Sequence, residues 1–567
     1  MPAGIDARAS SRAVSLPNPA LVTQRGARRL PRLALLLLCA VYVLPGLFGR
    51  DPWRNADLVA FAQMAGIAEG RTPWLAPTLG ALPVTDLAVL PHWLGASFIL
   101  ALSPLLEPAV AARVPFALLL VATLMLSWYA TFHLARTDHA QPLPFAFGGE
   151  AEPVDYARAI ADGALLALIA TLGLLLLGHE TTPELAQLCG ASLFLYALAA
   201  APFRHWQPRL AAIAALLLLA GSGAPSMAVA LGLGGLLVCS RSSYPAVRAL
   251  VPWTLIALVS AVTLATALSA WRWRGDGMDL AEWLSVARQW AWFLWPTWPF
   301  VLWTLWRWRD HLAHRHIAVP LTLVLVALAS NLVMGGSDRA LMLGVPGMAV
   351  LAAFALPTFK RSTSAAIDWF SMFFFTLCAL FVWVIYLALQ TGIPARPAAN
   401  MARLLPGFVS TFSPLALLLA LCGSVAWIWL VRWRTGRHRE ALWKSLVLPA
   451  GGVALCWLLC MTLWLAPLDY ARSSRPWLER VAAHVPAGSC VLAPDASRVV
   501  LAALEHGGRY RVDARPQAMA DLRCDYLLRV TRNERPGAAP PTWSWLAEVQ
   551  RPTDRAEITT LYRRAMP

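Results

Sequence analysis

Residues 369–389 form a run of 21 positions without one charged side chain. Wound as an α-helix, that stretch is about 31 Å long, enough to cross the hydrocarbon core of a bilayer. It is one of a series. Apolar runs of similar character occupy 33–48, 113–135, 158–178, 185–203, 209–222, 225–239, 249–270, 287–306, 317–334, 340–358, 365–390, 409–431 and 443–466, which predicts about thirteen membrane helices. Composition agrees, with 58% of the 567 residues hydrophobic and 14% charged, against about 25% charged in an average soluble domain. A soluble globular fold is thereby excluded.

The basic residues decide which loops share a side. Lys and Arg number 47 against 31 Asp and Glu, a net charge of +16. In a nucleic-acid-binding protein such an excess gathers in one basic stripe. Here it is divided among short clusters between apolar runs, at 204–209, 241–248, 307–316, 360–361 and 432–444. The positive-inside rule assigns these clusters to the cytoplasm, together with the basic tail 1–30 that carries Arg8, Arg12, Arg25, Arg28 and Arg29. Membrane lipids are implied as partners and nucleic acid is not. The run 33–48 resembles a signal peptide, but 46–51 offers no small-x-small cleavage site, so it reads as an uncleaved first span with a cytoplasmic N-terminus. The apolar stretch 92–106 then lies in the interface or re-enters the membrane within a long first periplasmic loop, 50–112. An odd number of spans puts the C-terminus in the periplasm. The expected transmembrane domain is an all-α polytopic unit covering 31–468, in a bacterial inner membrane.

From about Asp469 the charges become frequent and the apolar runs short. Residues 469–567 therefore form a separate small periplasmic α/β domain, with helices at 477–484 and 496–506 and strands at 490–493, 510–512 and 526–530. Cys490 and Cys524, its only cysteines, stand at the starts of two of those strands. In an oxidising periplasm they pair, or they stay two separately buried thiols, and spacing alone does not choose. The other seven cysteines lie in or beside apolar runs, and none has zinc-ligand spacing.

An ionised side chain at a membrane boundary is costly unless it lines a wet cavity or has a partner, so the carboxylates at span ends carry the information. Asp51 and Asp57 precede or open a helical pattern at 58–70, where simple N-terminal capping is the plain alternative to chemistry. Glu184, with Glu180 beside it, opens a span after Pro183, an ordinary place for a first-turn acid. These residues sit within an ordered set of motifs. Asp51-Pro52-Trp53, Trp74-Leu75-Ala76-Pro77, Gly80 and Trp93-Leu94 are followed by Ala111-Ala112-Arg113-Val114-Pro115, Thr182-Pro183-Glu184-Leu185 and the Arg339-to-Pro346 stretch. The set resembles the GT-C superfamily of polyprenyl-phosphate-sugar-dependent glycosyltransferases, in particular the branch of lipid A aminoarabinose transferases and, more distantly, protein O-mannosyltransferases. Each motif alone is weak; the order carries the resemblance over essentially the whole chain.

The resemblance implies a GT-C membrane fold with a C-terminal periplasmic α/β domain. It also implies transfer of a sugar from a polyprenyl (undecaprenyl) phosphate donor to a lipid A-like lipid or another envelope glycan acceptor. Asp57 and Glu184, with Asp51 or Asp86, would position the acceptor and polarise the reacting centre. Arg339 would hold the donor phosphate, with Arg272, Arg274 and Arg288 as weaker candidates, because a guanidinium fork matches phosphate oxygens. Arg113 matches a family arginine and is otherwise an anchor at the membrane boundary. No redox cofactor is required, since a polyprenyl phosphate is a good leaving group, and a divalent metal bridging carboxylate and phosphate is compatible with this chemistry without being demanded. Two departures stand out: the family's Asp-Glu pair falls on Ala56-Asp57, and its Glu-Lys-Pro-Pro on Thr85-Asp86-Leu87-Ala88. Over a typical aminoarabinose transferase they favour a rival reading, a diverged paralogue that binds polyprenyl phosphate without catalysis. A transporter or flippase for a lipid-linked substrate is the rival from another class; it calls for charges buried mid-span and an internal repeat. No Walker loop, Gly-x-Ser-x-Gly in a strand–helix context or His-Glu-x-x-His is present. Leu-Gly-Leu-Gly-Gly at 231–235 lies inside a span and reads as close helix packing. His311, His314 and His316, with Arg315, read as a solvated cytoplasmic loop.

Overall fold

The computed structural model describes residues 18–84, 88–271, 279–436, 441–517, 524–532 and 541–565. Among them, seven helices are long and apolar enough to cross a membrane: Pro108–Ala135, Pro183–Ala200, Pro245–Ala267, Arg315–Val333, Asp338–Thr358, Arg361–Thr391 and Pro414–Thr435. Lys444–Cys460 with Leu465–Arg472 makes an eighth when counted as one span, bent by 71°. Arg32–Val43, Gln207–Gly221 and Pro225–Ser240 are shorter apolar helices in the remaining expected stretches. The apolar stretch of Asp338–Thr358 is wholly buried, whereas only 11% of that in Pro414–Thr435 is. The former is the centre of the bundle and the latter a lipid-facing edge.

Two further expected spans are broken rather than continuous. The stretch 158–178 divides at Thr171 into Pro153–Ala170 and Leu172–Leu177, and 287–306 divides at 294–296 into Leu280–Phe293 and Thr297–Arg307. Pro296, which has no N–H and whose ring crowds the preceding turn, explains the second break. The breaks satisfy each other: the Leu172 N–H donates to the Trp295 carbonyl at 2.9 Å. Backbone polar groups at membrane depth are tolerated only with such partners. Close packing elsewhere depends on glycine. A Cβ on Gly235 would stand 2.6 Å from Phe194 and one on Gly234 2.5 Å from Thr322, so the motif at 231–235 does bring helices together.

Within the first loop, Ala56–Ala68 and Val89–Leu102 are both helical and pack on each other. Among its described residues the C-terminal domain holds a five-stranded sheet in the order Arg511–Asp513, Cys490–Leu492, Tyr526–Arg532, Asp554–Arg564, Trp543–Arg551. The first three strands are parallel and the last two join antiparallel. Three of these strands were expected; the hairpin of the last two was not. Cys490 and Cys524 are joined as a disulfide. The domain is not a loosely tethered unit, since Leu58, Ala62 and Leu79 of the first loop share one apolar core with Trp477, Leu501 and Val512. A two-strand ribbon, Thr78–Leu79 with Leu82–Pro83, reaches into it through Gly80. Gly80 has φ +62° and donates to Glu505 at 2.8 Å, and a Cβ there would lie 2.9 Å from Leu501. Only glycine suits both conditions.

Candidate active site

Pro108–Ala135 starts at the end of the first loop and Pro183–Ala200 just after 178–182, and bonds from Arg50 to His179 and from Arg113 to Arg50 bring residues near 50, 113 and 180 together on the side of the bundle that carries the C-terminal domain. Asp57, on the first turn of Ala56–Ala68, is 1% exposed. Its Oδ2 lies 3.3 Å from Arg50 Nη1 and accepts from the Trp53 N–H at 3.2 Å. Its Oδ1 accepts from the Thr181 N–H at 2.7 Å and the Thr181 hydroxyl at 2.8 Å. Burial alone would raise this carboxyl; the Arg50 and Arg113 charges and the two Thr181 donors outweigh burial and hold it below its ordinary value. Asp57 is thus an anchor with both oxygens occupied and its carboxyl held below the ordinary value. Arg50 completes the anchor by donating to the Gly46 and His179 carbonyls at 2.8 and 2.6 Å. Arg113, 3% exposed, donates to the Arg50 carbonyl at 2.9 Å.

The segment 178–182 therefore forms a hub, with Thr181 facing Asp57 and its neighbours facing the bundle centre. Arg339, near the start of the central helix, reaches Glu180 Oε2 at 2.5 Å, Glu184 Oε2 at 3.2 Å and the Thr182 hydroxyl at 2.9 Å. Glu184 and Arg339 keep side-chain exposures of 26% and 20%, so this cluster, unlike Asp57, is only partly buried. Burial pushes the Glu180 carboxyl up; Arg339 pulls it back only in part, and the nearby Asp57 charge adds to the rise. Asp57, hydrogen-bonded to Thr181, and Glu180, the chain neighbour of that threonine, are thus driven in opposite directions, the pattern that separates a fixed charge from a proton acceptor.

Asp51 is placed differently from Asp57. It accepts from the Ser473 hydroxyl at 2.6 Å and pairs with Arg475, tying the first loop to the start of the C-terminal domain. Asp469 reinforces the seam by accepting from the Asp51 N–H and the Trp53 indole, each at 2.9 Å. A cleft of about 980 Å³ opens between loop and domain, with Asp51, Phe61, Arg71, Glu107, His506 and Arg511 among its lining. Glu180, Glu184 and Arg339 do not line it. Asp86, Arg272 and Arg274 lie outside the described residues. The structure thus brings Glu184 and Arg339 together and joins Asp57 to Arg113 through Arg50, while Asp51 belongs to the domain seam. Arg50, Thr181 and Asp469 had no motif to single them out. Glu180 was visible only as a neighbour of Glu184. Among the described residues no group of three or more His, Cys, Asp or Glu side chains is arranged to hold a metal ion.

A helical membrane bundle, a two-helix first loop over its centre and an α/β domain docked on that loop together make a GT-C fold. In particular it is the fold of ArnT from Cupriavidus metallidurans. The crystal structure of that protein bound to undecaprenyl phosphate matches with a TM-score of 0.58 at 15% identity, over 94% of this chain and 97% of that one. Its apo-state structure matches with a TM-score of 0.55 at 13% identity, over 94% and 96%. No family model and no curated protein sequence matches the chain, so the likeness is one of fold.

Proposed function

We propose that the protein is a glycosyltransferase of the bacterial inner membrane that moves a sugar from a polyprenyl-phosphate donor to a lipid, or other envelope acceptor, at the periplasmic face. One observation carries the reading. Arg339 bridges two glutamates beneath the first loop, in a fold shared end to end with a protein crystallised with undecaprenyl phosphate. In this reading the donor phosphate takes the guanidinium from one glutamate, and the other receives the acceptor's proton. The acceptor oxygen bonds to the anomeric carbon while the bond from that carbon to the phosphate oxygen breaks. The electron pair leaves with the polyprenyl phosphate, whose growing charge Arg339 stabilises. Glu180 is the better proton acceptor because burial already raises its affinity for a proton. A redox cofactor has no part in this exchange. Asp57 fixes the hub and does not touch the reacting atoms, in place of the catalytic role that the motif implies. That same observation, with Ala56 where the family has an acid, also supports the reading of a polyprenyl-phosphate binder without turnover.

The test is transfer of radiolabelled sugar from a panel of undecaprenyl-phosphate sugars to envelope lipids and proteins by the purified chain. Wild type should label one fraction, identifying the acceptor, and Glu180→Gln should reduce turnover by about 10²–10⁴-fold. Binding of undecaprenyl phosphate with no transfer from any donor would leave the binder as the correct reading.

A further inference from the structure

On the face opposite the C-terminal domain, His311, Arg315 and His316 are not the solvated loop that their polarity predicts. They are 8%, 7% and 0% exposed. The cause is aromatic cover: Trp308, fully buried, lies 5.7 Å from the His311 ring and 4.7 Å from the His316 ring, and Phe354 lies 5.1 Å from His316. His314 stacks on exposed His139 at 4.0 Å and forms the outer edge of the group.

The cluster leaves several buried nitrogens without partners. Arg315 spends one nitrogen on the Leu198 carbonyl. Its Nε and Nη1, both ring nitrogens of His316 and the Nδ1 of His311 are buried without a protein partner. No carboxylate among the described residues pairs with Arg315; nearby Asp138 accepts from Tyr244 and Asp310 lies against Arg309. A buried guanidinium without a counter-ion is strongly unfavourable. The same residues open the 19-residue helix Arg315–Val333, whose N-cap, His314, makes no side-chain cap bond. The positive end of a helix dipole thus coincides with a guanidinium that has no carboxylate partner among the described residues, and both favour an anion. A cation is disfavoured there by Arg315 itself.

We propose that this cluster is a phosphate-binding site on the face opposite the transfer site, taking either free inorganic phosphate or the phosphate of an anionic phospholipid headgroup. It is independent of the transfer reaction. The full chain is placed in phosphatidylcholine nanodiscs and titrated with inorganic phosphate by calorimetry. In parallel, the chain in phosphatidylglycerol-containing nanodiscs is examined by native mass spectrometry for retained lipid. Saturable phosphate binding in the first arm identifies the free ion, and retained phosphatidylglycerol in the second identifies the headgroup. In either case Arg315→Gln weakens binding by about tenfold or more, because a charge-assisted bond is lost. His139→Glu, an exposed position that puts a negative charge at the edge and leaves the core intact, weakens it as well. Neither ligand binding to wild type, or binding unchanged in both variants, overturns the proposal. If Arg315→Gln fails to fold, unchanged binding in His139→Glu alone overturns it.

Discussion

Replacing Asp57 by Asn separates an anchor from a catalyst. The substitution keeps the shape and removes the charge. If the amide oxygen stays with Thr181, the new NH₂ replaces the oxygen that faces Arg50 at 3.3 Å and the Trp53 N–H at 3.2 Å. Donor then faces donor, and a guanidinium only 2% exposed loses its contacting carboxylate. Breaking a buried pair from one side costs about 3–5 kcal/mol, a large part of the roughly 5–15 kcal/mol that keeps a typical protein folded. Asp57→Asn should therefore lower the midpoint of thermal unfolding, followed by tryptophan fluorescence in detergent, and speed hydrogen exchange at 179–182. The sign with pH follows from the lowered carboxyl. Its contribution is fully present above the ordinary value of 3.8 and is lost as pH falls through the depressed one, so wild type and variant should converge in strong acid. A variant that melts with wild type and loses only transfer would refute the reasoning and return Asp57 to the reacting centre.

Three further outcomes are expected. Gly80→Val combines a positive φ with a 2.9 Å approach to Leu501, so it should weaken docking of the C-terminal domain by about 1–3 kcal/mol and expose its junction to limited proteolysis. Reducing the Cys490–Cys524 bridge releases a loop of sequence separation 34, which the chain-entropy estimate values at about 4 kcal/mol; thermal melts with and without reductant should differ in the C-terminal domain transition. If Glu180 accepts the proton, kcat should rise with pH through an inflection above the ordinary glutamate value of 4.5, and Glu180→Gln should remove that rise.

Much of the bundle is legible in the sequence because a span announces itself through local composition alone. What escapes is whatever a distant partner decides. The helix break at Thr171 is stabilised by the carbonyl of Trp295, in another broken stretch, and no local signal at 171 requires it. Asp57 stands out as a boundary acid, yet its role is set by Arg50 seven residues earlier and Thr181 124 residues later. The pairing of Arg339 with Glu180 and Glu184 is likewise long-range, although the motifs named two of its three members. Polarity misled at His311, Arg315 and His316, because Trp308 and Phe354 fold over a segment that looks solvated. The last two strands, Trp543–Arg551 and Asp554–Arg564, are interrupted by charges that weaken their alternation, and the pairing of Asp554–Arg564 with Tyr526–Arg532 on one side and Trp543–Arg551 on the other supplies what local pattern lacks.

The most direct measurement is a cryo-electron microscopy structure of the full chain with undecaprenyl phosphate bound. The phosphate should lie within hydrogen-bond distance of Arg339, with Glu180 or Glu184 released from the guanidinium and Asp57 still held by Arg50 and Thr181. Phosphate density in the cleft beside Arg475 and Arg511, with Arg339 still bridging both glutamates, would contradict the proposed site.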